Sequence, residues 1–240
     1  MLPMLVAIVV CWAVPLLLTL WKKSKRADVK FALIDAASCA LGNGLLAALP
    51  LYMAGAAYSS DATDAAVHAL IWILFMAVYF PLEGHMNSAL TAGAWAAGQV
   101  SFSVGSFYIA AQVLGTAIGV ELARPFFNAS VYDAVGYPTA PFADDGTIAV
   151  ALAYETACSV AMVLVQLGLC ASFDKQYVVA STLVVVLTRY TGAAMDPLGP
   201  TSGAIFARDT NDGLYSIHWA GGLVGGAIAG YVWKNVLGRE

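Results

Sequence analysis

Charge is scarce in this chain: of 240 residues, 11% are Asp, Glu, Lys or Arg, 60% are apolar, and the mean hydropathy is +0.77. A soluble domain carries roughly 25% charged residues, so water is excluded as the main solvent of the fold. Lys and Arg number 11 against 15 Asp and Glu, a net charge of −4. No basic stripe is long enough to neutralise a run of phosphates, which excludes nucleic acid as a partner. Cysteine and histidine are few, four and three residues. Cys11, Cys39, Cys158 and Cys170 lie inside apolar runs, with no Cys-x-x-Cys pair and no histidine at zinc-ligand spacing, and they read as small buried hydrophobes. Paired histidines, a Ser-His-Asp set and a glycine-rich phosphate loop are all missing, so enzyme chemistry is not expected and neither a cofactor nor a metal is implied.

What the chain does have is long apolar runs. A helix that crosses a bilayer needs about 20 mostly apolar residues, because the hydrocarbon core is about 30 Å thick and a helix rises about 1.5 Å per residue. Seven segments qualify: 1–21, 65–82, 104–120 and 213–233 without charge, 31–55 with only Asp35, 148–173 with only Glu155, and 176–188, which is short unless it runs past Arg189. Two further apolar stretches, 84–98 and 195–207, are too short to cross, and each adjoins the end of a span. Such stretches read as re-entrant half-helices, tolerated at membrane depth only where protein or a water-filled cavity surrounds them.

Lys22, Lys23, Lys25, Arg26 and Lys30 follow the first segment, and the positive-inside rule places them in the cytoplasm. Alternation from there puts Lys175, Lys234 and Arg239 on the same side, and puts the acid-rich loops 56–64, 121–147 and 208–213 outside. Residues 1–21 lack the basic start of a signal peptide and read as an uncleaved anchor instead. The expected organisation is therefore an anchor helix with a basic linker, 1–30, followed by a six-span domain, 31–234. Asn128-Ala129-Ser130, on an outside loop, is a glycosylation acceptor sequence that fits an intracellular membrane of the secretory pathway.

The two halves of that domain, 31–123 and 147–234, carry one plan. Asp35 with Cys39 one turn later corresponds to Glu155 with Ser159. The run 108–115, ending Ala-Gln-Val-Leu-Gly, corresponds to 217–225, ending Gly-Gly-Leu-Val-Gly. The half-helix starts, Asn87 and Asp196, lie 25 residues before Gln112 and 26 before Gly222. Three spans per half make the second copy enter from the opposite side, an inverted repeat whose half-helices meet near the midplane. Gly221/Gly225 and Gly222/Gly226/Gly230 form ridges of small residues that let spans approach closely.

Gly84-His85-Met86-Asn87-Ser88-Ala89-Leu90-Thr91-Ala92-Gly93 closely resembles the His-Leu-Asn-Pro-Ala-Val-Thr half-helix of the aquaporin, or major intrinsic protein, family. Tyr190-Thr191-Gly192-Ala193-Ala194-Met195-Asp196-Pro197-Leu198 resembles that family's second Asn-Pro-Ala element. The resemblance covers residues 31–234. It implies an all-α transmembrane, aquaporin-like inverted repeat of six spans and two re-entrant half-helices, here with one extra N-terminal hydrophobic helix. It also implies a homotetramer with one pore per protomer. Asp35 and Glu155 would accept hydrogen bonds from the loop backbone leading into the half-helices rather than relay protons, and His85 would face the cytoplasmic vestibule. His68 and His218 read as satisfied residues at span ends.

Both tripeptides are altered, to Asn87-Ser88-Ala89 and Asp196-Pro197-Leu198. Asn87 keeps two roles, capping free backbone N–H groups with its oxygen and donating to a solute with its NH2. Asp196 caps equally well, but an ionised carboxylate only accepts, so half of the donor pair is lost. A negative charge there would also weaken the barrier to cations unless Asp196 carries a proton. Asp196 therefore reads as a cap alone or as a cap that shapes conduction. Pro200 removes the first intrahelical bond to the cap, so the second half-helix is expected to be short or distorted. Where the family places an Arg, this chain has Gly199; the other filter positions fall on Val67, Val184 and Ala193, with His68 replacing Val67 if the alignment shifts by one. Such a filter is apolar and wide unless Arg189 or Arg208 fills the gap, so bulkier neutral solutes pass or water passes poorly. The expected function is a passive channel for water or a small neutral solute in a lipid bilayer. The alternatives are a non-conducting subunit of a larger membrane complex and an ion or proton pathway through Asp196.

Overall fold

The computed structural model describes residues 85–123, 148–169, 173–207 and 213–238. Segments 1–21, 31–55 and 65–82, and with them Asp35, Val67, His68, Asn128 and Arg208, lie outside the described residues. Among those described, every regular element is helical: α1 (Ser88–Ala97), α2 (Phe102–Ala123), α3 (Ile148–Leu164), α4 (Phe173–Thr191), α5 (Leu198–Ala207) and α6 (Gly213–Asn235).

Local chemistry sets the ends of these helices. Helix α1 stops at Gly98, whose φ of 80° turns the chain left-handed while its N–H returns to the Ala94 and Trp95 carbonyls. Ser101 then caps α2, its Oγ accepting the Val104 N–H at 3.3 Å. The apolar run 148–173 is not one continuous span. Helix α3 passes into a π-helical stretch, Val165–Leu169, where Gly168 at φ 105° interrupts the helix, and α4 begins only at Phe173. Helix α4 continues past Arg189 to Thr191, making the short apolar core 176–188 part of a 19-residue helix.

Segments Phe102–Glu121 and Ile148–Gly168, of 20 and 21 residues, are long and apolar enough to cross a membrane. They present large apolar side chains outward, among them Phe102, Phe107, Leu114, Ile148 and Val150. Each ten-residue helix packs against the long helix of the other half: α1 lies along α6, and α5 lies along α2. The glycines of α6 divide this work. Cβ atoms added at Gly221 and Gly225 would strike Glu155, Thr156 and Ser159 of α3, whereas Cβ atoms added at Gly226 and Gly230 would strike the Ala89 and Gly93 carbonyls of α1. Helix α6 is thus the spine on which α3 and α1 are laid at backbone contact distance.

Candidate functional site

The N-termini of α1 and α5 meet. Asn87 caps α1 from extended backbone (φ −147°), its Oδ1 accepting the N–H groups of Ala89 at 2.7 Å and Leu90 at 3.2 Å. This orientation aims Nδ2 across the junction, where it donates to the Met195 carbonyl at 3.0 Å, 108 residues away in sequence. Asp196 caps α5 in the same manner, accepting the Leu198 N–H at 3.1 Å, and its carboxyl also faces the Ser88 N–H. The tips are complementary. The first presents donors, Asn87 Nδ2 and Ser88 N–H; the second presents acceptors, the Met195 carbonyl and the Asp196 carboxyl, while Pro197 has no N–H to present.

Met86 and Met195, each one residue before its cap, have φ values of 53° and 56°. Left-handed backbone at a non-glycine residue costs about 1–2 kcal/mol and persists where neighbours over-determine it. Glu155 supplies that constraint for Met195. Its buried carboxylate accepts the Met195 N–H at Oε1 (2.6 Å) and the Ala194 N–H at Oε2 (2.8 Å), and Oε2 also accepts from Nδ1 of His218 at 2.8 Å.

A second network surrounds the first tip. Ser88 Oγ donates to Gln112 Oε1 at 2.9 Å, Gln112 Nε2 donates to Thr91 Oγ1 at 2.9 Å, and Thr91 Oγ1 donates to the Asn87 carbonyl at 3.1 Å. With the single Thr91 hydroxyl hydrogen so placed, His85 Nδ1, 3.0 Å away, is assigned as a donor to the same oxygen. The His85 ring meets Tyr108 edge-on at 5.3 Å. In the second half the position matching Gln112 is Gly222, and a Cβ added there would lie 2.9 Å from the Pro197 ring. The proline ring fills the room that Gln112 uses to reach Ser88.

Of the filter positions, Val184 packs against the buried cluster that contains Ala193. Gly199 stands apart, because no described residue lies within 4 Å of a Cβ added to it. The Arg189 side chain lies outside the described set. Ala89 and Leu198 are fully buried beneath the tips. The expectation of a short or distorted second half-helix holds only in its second part: α5 has ten residues, as α1 does, but its first turn is tightened. Pro200 cannot donate to the Asp196 carbonyl, but Gly199 N–H takes that acceptor at 3.3 Å, and Thr201 N–H resumes the ladder at the Pro197 carbonyl at 3.1 Å. His218 is not a satisfied span-end residue: it lies 2% exposed within α6, with Nδ1 on Glu155 and Nε2 without a hydrogen-bond partner among the described residues. A histidine inside an otherwise apolar span was the only signal of it, and nothing in the sequence ties it to Glu155.

The chain that carries this junction has counterparts among known proteins. A profile of the major intrinsic protein family matches residues 39–233. The chain belongs to that family. This major intrinsic protein is 28% identical over 194 residues to a probable aquaporin TIP-type of Medicago truncatula, covering 75% of this chain and 74% of that protein. It is 28% identical over 160 residues to a probable aquaporin TIP-type of Antirrhinum majus, spanning 64% of this chain and 63% of that relative. The aquaglyceroporin of Plasmodium falciparum superposes with a TM-score of 0.65 at 16% identity, over 86% of this chain and 97% of that one. The fold is aquaporin-like, and the protein is, like its family, an integral membrane protein.

Proposed function

We propose that the chain is a passive channel for water or a small neutral solute, its pore passing the junction of α1 and α5 and a wide, apolar filter at Val184, Ala193 and Gly199. The observation that carries this reading is the meeting of the tips, with Asn87 Nδ2 3.0 Å from the Met195 carbonyl. Two helix N-termini converge there and, with a proton on the Asp196 carboxyl, their partial positive charges add, which disfavours a cation and leaves a neutral solute unaffected. The Asn87 NH2 has two hydrogens and uses one, so a donor remains for a solute oxygen. The space around Gly199 among the described residues and a glycine where the family places an Arg favour a neutral solute larger than water. On this reading α1 and α5 are re-entrant half-helices, residues 1–30 form the anchor, and protomers assemble as a homotetramer; the Asn128 sequon supports an intracellular membrane.

Stopped-flow swelling of proteoliposomes in water and glycerol gradients tests the proposal. The native chain is expected to exceed empty vesicles in the glycerol gradient. Equality with empty vesicles in both gradients would leave the non-conducting subunit as the reading. Gly199→Arg, whose Cβ would meet no described residue within 4 Å, is expected to lower glycerol flux about tenfold, a barrier increase of ~1.4 kcal/mol, while water flux persists. Unchanged glycerol flux in that variant would move the filter elsewhere.

A further inference from the structure

We infer that His218 is a positioning residue, acting through Glu155 to hold the loop that carries Ala193, Ala194 and Met195 into the junction. The two side chains are 2% and 1% exposed, with 2.8 Å between His218 Nδ1 and Glu155 Oε2. Helix α6 grips Glu155 at two levels. Gly221 leaves room for the stem, since an added Cβ would lie 2.6 Å from Glu155 Cγ, and His218, one turn earlier on the same face, meets the head. The other two donors to the carboxylate, Ala194 N–H and Met195 N–H, come from the loop itself. His218 is therefore the one side chain among the described residues that ties this carboxylate to a rigid helix.

Among the described residues Nε2 has no hydrogen-bond partner, so an aromatic hydrocarbon side chain of the same size would fill this space without leaving a buried polar atom unpaired. What the imidazole adds over such a side chain is the Nδ1 bond. From that bond a continuous chain runs through Glu155, the Met195 N–H, the left-handed Met195 and its carbonyl to Asn87 Nδ2 in the opposite half. The far end of the loop is held separately, by Thr188 Oγ1 donating to the Ala193 carbonyl at 3.0 Å. Releasing His218 therefore loosens the 194–195 end while leaving the 193 end attached.

The test compares His218→Phe, which keeps the ring volume without the donor, with His218→Gln, which restores an N–H donor. Amide hydrogen exchange at Ala194 and Met195 is expected to rise about tenfold in the Phe variant, with amides along the rest of α6 unchanged, and to return toward native in the Gln variant. The glycerol-to-water permeability ratio is expected to shift and recover in parallel. Native exchange at both amides in the Phe variant would overturn the inference, as would a uniform rise along α6 that Gln fails to reverse. The ratio rests on the channel reading and the exchange does not, so a native chain that fails to conduct would defeat that reading while the exchange result still decides the role of His218.

Discussion

Gly226→Ala is expected to leave little correctly assembled protein. A single methyl at this position points at the carbonyl of Ala89, and the next nearest atoms, the Ala89 carbon and Cα at 2.8 and 3.1 Å, are also backbone. No side-chain rotation relieves such a contact, so α1 has to move away from α6 as a body. Overpacking of this kind costs ~3 kcal/mol or more. Against a typical margin of about 5–15 kcal/mol, that lowers the unfolding temperature of the detergent-solubilised chain by about 6–12 °C. Movement of α1 also withdraws Asn87 from Met195, so permeability falls with stability. Gly199→Ala makes the same chemical change where no described residue lies within 4 Å and is expected to unfold at the native temperature. Equal melting temperatures for the two variants would show that the contact between α1 and α6 is looser than the packing indicates.

That contrast marks how far the sequence can be read. The aquaporin-like fold is legible because a bilayer fixes the length and apolarity of crossing helices, and two apolar stretches miss that length at matching places in the two halves. The starts of α1 and α5 are legible for a local reason: Asn and Asp are N-cap residues, and a cap acts within three residues of itself. Contacts between distant residues leave no such trace. His218 and Glu155 are 63 residues apart, and no periodicity relates them. The left-handed Met86 and Met195 leave only a repeated residue type before each cap, because methionine is no turn former. At Pro200 the lost donor is visible in the sequence, but the replacement bond from Gly199 to the Asp196 carbonyl depends on how the first turn tightens. Gly168 interrupts the π-helical stretch after α3 through a backbone angle that an apolar run does not encode.

The contact that most governs the junction is the one at Glu155, and Glu155→Gln is expected to abolish permeability while preserving side-chain volume. Three donors converge on the native carboxylate, at 2.6, 2.8 and 2.8 Å. A glutamine offers one oxygen in place of two and turns an NH2 toward a donor that already needs an acceptor. Whichever way the amide faces, at least one of the Ala194, Met195 and His218 donors is left buried and opposed by another donor. Leaving a buried donor of this set unpaired costs about 1–3 kcal/mol, comparable to the ~1–2 kcal/mol of backbone strain at Met195 that the carboxylate now holds in place. The loop is then free to relax Met195 out of the left-handed region, turning its carbonyl away from Asn87 Nδ2 and parting the two tips. Proteoliposome flux in both water and glycerol gradients is expected to match empty vesicles, with a lower unfolding temperature and faster exchange at Ala194 and Met195. Glu155→Gln vesicles that conduct as the native chain does would show that the loop holds its shape without this carboxylate, and the route from His218 to Asn87 would lose its central link.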